Sequence, residues 1–90
     1  MNEDDGDLWP VVPSELVSET LSDMSVSAET FSTVVALTVA LCEDPWLIGS
    51  EQVGSDPDWR EVLIPKGYGI AEYRIDRKNQ QVVLTRIVLF

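Results

Sequence analysis

The chain has no histidine, a single cysteine, and no lysine or arginine among its first 59 residues. Without histidine, no Ser-His or Cys-His catalytic pair can form, and a zinc site could draw on one thiolate at most. One cysteine cannot close an internal disulfide, so no oxidising compartment is needed and a cytoplasmic location is expected. Cys42 reads as a small apolar residue on a helix, because a reactive thiolate needs a neighbouring cation or imidazole. Long apolar runs are also missing. The longest, Val34 to Cys42, is broken by Thr38 and is too short to cross a bilayer, so no membrane partner is expected. Gly67-Tyr68-Gly69 lacks the third glycine of a phosphate cradle, and Asp56-Pro57-Asp58 does not follow a calcium-loop pattern. Acid pairs of this kind read as a solvated face, and neither a metal nor a cofactor is expected.

What the chain does have is charge of two signs kept apart. Residues 1–59 hold thirteen Asp or Glu, whereas residues 60–90 hold six bases and three acids. The first block therefore carries −13 and the second +3, giving the net −10 of the 90 residues. Any surface for an anion must come from the C-terminal third, while the acidic block repels polyanions. The size suits one domain, expected over 8–90, and residues 1–7 read as an acidic disordered tail, too polar to bury and unlike a basic secretory leader.

Local patterns give an order of elements. Leu8 to Val12 forms a short apolar run that Pro10 confines to an edge or a strand start. Pro13 and Ser14 then open a first helix, with Leu16, Val17, Leu21 and Met24 at helical spacing. A second helix starts at the N-cap Ser27. It is apolar on nearly all sides from Phe31 to Cys42, which predicts a largely buried helix, although its β-branched content leaves a strand open. Glu43-Asp44-Pro45 stops it. Trp46 to Asp58 reads as a thirteen-residue loop. Three strands follow, around Trp59 to Ile64, Ile70 to Ile75 and Gln81 to Phe90, the last two joined across the polar turn Asp76 to Gln80. The final strand is apolar on both faces, which predicts a central position. The expected fold is α+β, with two helices packed on a small antiparallel sheet in the order (β)ααβββ.

That order, with Pro13-Ser14-Glu15-Leu16, Glu43-Asp44-Pro45-Trp46, Trp59-Arg60-Glu61-Val62, Gly67-Tyr68, Tyr73-Arg74-Ile75-Asp76 and Thr85-Arg86-Ile87, resembles the RelE/ParE toxin superfamily of bacterial toxin–antitoxin systems. The likeness spans Leu8 to Phe90. It implies ribosome-dependent mRNA cleavage or poisoning of DNA gyrase, and a cognate antitoxin as partner. By position, Arg86, Arg60, Lys66 and Tyr68 are the residues that would serve as catalytic groups, with Arg86 of the final strand foremost. A guanidinium presents the planar fork that phosphate recognition requires.

Each of these residues also has a simpler reading. Arg86 could lay its stem on the sheet and pair with Glu61 or Glu72, Arg60 could be a cross-strand partner, and Tyr68 could be packing. The family usually carries a base just after Gly-Tyr, where this chain has Gly69. The final strand ends at Phe90, before the segment that holds catalytic groups in many ribosome-dependent members. The toxin reading, in a form that these departures could leave catalytically degenerate, stands first; the departures and the net acidity motivate an alternative, a non-catalytic interaction module of the same fold that binds a basic partner.

Overall fold

The computed structural model describes residues 8–90, so the acidic tail expected over residues 1–7 lies outside the described residues. The α-helices and strands follow in the order β1 (Val11–Pro13), α1 (Glu15–Ser22), α2 (Ala28–Glu43), β2 (Glu51–Val53), β3 (Asp56–Ile64), β4 (Gly69–Asp76) and β5 (Gln81–Leu89), with a short 3-10 turn, Pro65–Gly67, between β3 and β4. The strands form one sheet in the order β1-β5-β4-β3-β2. The α+β class and the two helices agree with the sequence reading. The sheet is mixed rather than antiparallel, because β1 runs parallel to β5. Two helices separate β1 from the rest of the sheet, and a crossover of that length permits parallel pairing. β5 lies between β1 and β4, inside the sheet as its apolar content predicts.

Both helices begin at serine caps. The Ser14 hydroxyl accepts from the Val17 N–H (3.2 Å), and the Ser27 hydroxyl accepts from that of Thr30 (3.1 Å). Ser14 also binds β5, donating its backbone N–H to the Leu84 carbonyl (2.9 Å) and its hydroxyl to the Thr85 carbonyl (3.1 Å). One residue thus starts α1 and fixes it against the sheet. The apolar stripe expected of α1 is only partly used: Val17 is buried and Leu21 half-buried, whereas Leu16 is exposed and Met24 lies past the helix end at 99% exposure.

The core is a single layer between helices and sheet. Val17, Val34, Leu37 and Leu41 meet the inward side chains of β3, β4 and β5, namely Val62, Ile64, Ala71, Tyr73, Ile75 and their neighbours on β5. On β5 the inward residues are Val82, Leu84 and Ile87, a spacing that strict alternation cannot place on one face. A β-bulge resolves it. Glu72 pairs with Arg86 but Tyr73 with Leu84, so Thr85 is the extra residue, and its hydroxyl donates to the Glu72 carbonyl (3.0 Å).

Tyr73 sits at the centre of this core, fully buried, and its hydroxyl donates to the Pro45 carbonyl (2.6 Å). That bond ties the end of α2 to the middle of β4. Burial holds the Tyr73 phenol above its ordinary value of 10.0, against the nearby Ser50 hydroxyl and Arg60 charge, which pull it down. The folded state therefore keeps this proton more tightly than the unfolded chain. The resulting stabilisation is complete below about pH 10 and is lost as pH rises through the folded value. Tyr73→Phe strands the buried Pro45 carbonyl and should cost about 1–3 kcal/mol. In thermal melts that loss lowers Tm by roughly 4–8 °C per kcal/mol, and the substitution also flattens the alkaline part of the stability–pH curve.

Candidate functional site

The four residues singled out by sequence do not meet. Arg60 is on the helix side of β3 and is consumed in structure. Its Nε donates to the Ser50 hydroxyl (2.9 Å), while its two terminal nitrogens donate to the carbonyls of Ser50 (3.1 Å) and Pro57 (3.4 Å). It clamps the approach to β2 onto the start of β3. Lys66 lies beyond the far end of β3, exposed in the turn Pro65–Gly67, in a left-handed backbone conformation (φ 67°). Four strand positions from Arg60 to Ile64 already separate the two by about 13 Å. Tyr68 is half-buried beside Val26, Leu89 and Phe90, and its carbonyl accepts from the Phe90 N–H (3.0 Å). Arg86 is on the opposite face of the sheet from Arg60, exposed.

The base expected after Gly-Tyr has no room. A Cβ on Gly69 would fall on the backbone carbonyl oxygen of Val88, because β4 and β5 close together there. Glycine at this position is a packing requirement of the sheet.

Sequence reasoning did not anticipate the surface on which Arg86 lies. Both helices pack on one side of the sheet, and no described residue covers the other side. Register and alternation arrange this open face in transverse rows. One row is apolar: Leu63 opposite Ile70, and Ile70 opposite Val88. The next is charged and runs across four strands as Glu51, Glu61, Glu72 and Arg86. The third contains Trp59, Arg74, Val83 and Val12. Leu63 is 65% exposed, and Val12 and Val88 are exposed as well. Shallow depressions of about 140 and 210 Å³ follow the charged row and share Glu61 and Ile70.

The charged row carries three carboxylates and one guanidinium, and none of these side chains has a hydrogen-bond or ion-pair partner among the described residues. Carboxylates opposite one another on adjacent strands repel, so the row is an electrostatic cost to the isolated fold. The other C-terminal bases are engaged elsewhere or lie apart. Arg77 pairs with Asp58 (2.9 Å), which holds its guanidinium above its ordinary value, and it stacks over the Trp46 ring at 4.9 Å. Lys78 is in the β4–β5 turn. Asp76 closes that turn, its carboxyl held below the ordinary range first by the Asn79 amide, whose Nδ2 donates to it (2.8 Å).

The charged row of the open face was missed because it begins on β2, which the sequence reading placed within the loop Trp46 to Asp58. Glu51-Gln52-Val53 has no apolar alternation to announce a strand. The available signal was Gly54-Ser55, a two-residue hairpin loop in which Gly54 takes φ +69°. Among the described residues there is no cluster of His, Cys, Asp or Glu able to hold a metal ion. Among the described residues no helix is long and apolar enough to cross a membrane.

Two substitutions separate structural from functional duty. Arg60→Ala removes three hydrogen bonds made by a charged donor and should cost about 1.5–3 kcal/mol of stability, read as a lower midpoint in urea. Gly69→Ala should destabilise further, by several kcal/mol at the least if β5 is pushed away, and should lower the protein's folded yield. No family model, no curated protein and no solved structure matches this chain.

Proposed function

We propose that this protein is a non-catalytic interaction module that binds a basic protein partner through the open face of its sheet. The observation that carries the reading is the row Glu51, Glu61, Glu72 and Arg86, bordered on one side by the apolar row Leu63, Ile70 and Val88 and on the other by Trp59, Arg74, Val83 and Val12. Its carboxylates gain what the fold withholds when lysines or arginines of a partner lie between them, and the flanking Leu63, Ile70 and Val88 supply dry contact area. The net charge of −10 draws a basic partner to the protein and disfavours nucleic acid.

The second reading is a RelE/ParE-type toxin, supported by the element order and by Arg86, an exposed guanidinium in the final strand. Against phosphate chemistry stand the two carboxylates nearest to Arg86 in its row and the separation of Arg60, Lys66 and Tyr68 from it. A phosphoryl transition state needs several cations on one group of oxygens, whereas Arg86 is the one cation in its row and Arg74 lies in another.

Induced expression in a bacterial host distinguishes the two. Normal growth is expected, with Arg86→Ala indistinguishable from wild type and no ribosome-dependent mRNA cleavage or gyrase inhibition in vitro. Growth arrest that disappears in Arg86→Ala would establish the toxin reading instead. For the binding module, titration calorimetry with an amphipathic helical peptide of alternating leucine and lysine faces should show salt-sensitive binding. Glu61→Gln with Glu72→Gln should weaken it about tenfold, which corresponds to roughly 1.4 kcal/mol.

A further inference from the structure

The outer side of α2 has a composition that its position does not explain. Thirteen consecutive residues, Thr30 to Cys42, carry no charge, although the helix has solvent along one side. Its inward stripe, Val34, Leu37 and Leu41, is buried against the sheet. A second stripe, Phe31, Val35 and Val39, follows the i, i+4, i+8 spacing and is exposed by 45%, 44% and 55%. A surface helix ordinarily turns charged residues to water, and a helix apolar on two sides calls for cover on both.

The stripe is self-complementary. A groove of about 370 Å³ opens beside its C-terminal end, lined by Leu8, Val11, Thr38, Val39, Cys42 and Glu43. The large side chain Phe31 stands at the other end, with Val35 midway between Phe31 and Val39. A two-fold axis through Val35 sets two α2 helices antiparallel and brings Phe31 of each copy to Val39 of the other, at the mouth of the groove. The knob and its hole thus belong to the same chain, which an isologous contact requires. Electrostatics narrows the choice of occupant. Residues 1–59 carry −13, so two copies repel wherever their acidic surfaces face each other, and the span between Glu29 and Glu43 is neutral.

We propose that α2 is a homodimer interface, with two copies packed antiparallel across Phe31, Val35 and Val39. The contact is independent of the open sheet face and leaves that face free.

Sedimentation equilibrium of the full chain, across roughly micromolar to millimolar concentration, is the test. A mass twice the monomer's 10.0 kDa is expected at the upper end. Val35→Glu should return it to 10.0 kDa with an unchanged circular-dichroism spectrum, since the side chain is not part of the core. Leu63→Lys, on the sheet face, should leave the dimer intact. Because Val35→Glu could disturb the helix, a second probe places a thiol on the two-fold axis: Val35→Cys in a Cys42→Ala background should form a covalent dimer with a short bismaleimide, and Leu63→Cys in that background should not. A wild-type chain monomeric throughout the range overturns the proposal, whether the stripe is bare or awaits another protein. So does a dimer that persists in Val35→Glu or is lost in Leu63→Lys, or a failure of Val35→Cys to cross-link.

Discussion

The hydrogen bond from the buried Tyr73 hydroxyl to the Pro45 carbonyl is the constraint on which the other contacts depend. α2 ends at Glu43, and the chain must then turn away from the helix layer to reach the sheet edge at β2. Pro45 is itself buried, so its carbonyl would be left without a partner if Tyr73 did not reach it. With Pro45 held, the chain passes Trp46 and Leu47 to Ser50, where Arg60 of β3 takes both the hydroxyl and the carbonyl. That approach leads the chain into β2, which pairs antiparallel with β3. Glu51 then stands opposite Glu61, and the charged row of the open face is complete. One phenol in the core thereby sets the geometry of a surface on the far side of the sheet.

What could be read from the sequence was local, and what could not was relational. Ser14, Ser27 and the Glu43-Asp44-Pro45 stop mark the helices by side-chain chemistry acting within a few residues, and each appears as expected. β2 stayed hidden because Glu51, Gln52 and Val53 carry no periodic signal of their own; β3 defines them as a strand. Arg60 looked like a free cation because the atoms that engage it, on Ser50 and Pro57, lie in a segment read as an unstructured loop. The faces of β5 were ambiguous for a similar reason. Leu84 and Ile87 both point inward only because Thr85 bulges, and the bulge is held by Glu72 and Ser14, which are remote in sequence. For α2 the composition was read correctly and the consequence was not. An apolar helix on a two-layer fold of this size can bury only one side, since no third layer among the described residues covers the other.

The segregation of charge takes on a different meaning once these contacts are assigned. Six bases in the C-terminal third suggested an anion site on the strands. Arg60 is spent on Ser50, Arg77 on Asp58 and Trp46, and Lys66 and Lys78 sit in turns at opposite ends of the sheet. Only Arg74 and Arg86 remain on the open face, each among carboxylates of the same or adjacent row: Glu61, Glu72 and Asp76. Where cations are outnumbered on their own surface they reduce repulsion within it and do not attract phosphate.

The two proposed surfaces then differ in the way that charge demands. A sheet face bearing uncompensated carboxylates can approach only something basic, and it cannot approach a second copy of itself. A helix face without charge is indifferent to sign, and it is the surface on which two chains of net −10 can meet at least cost. Self-association and partner binding would thus be kept apart by electrostatics, even though the whole domain has one thin core and two layers. The sequence places the neutral window within its acidic half and its remaining bases within the other, and folding turns that linear division into two sides of one sheet.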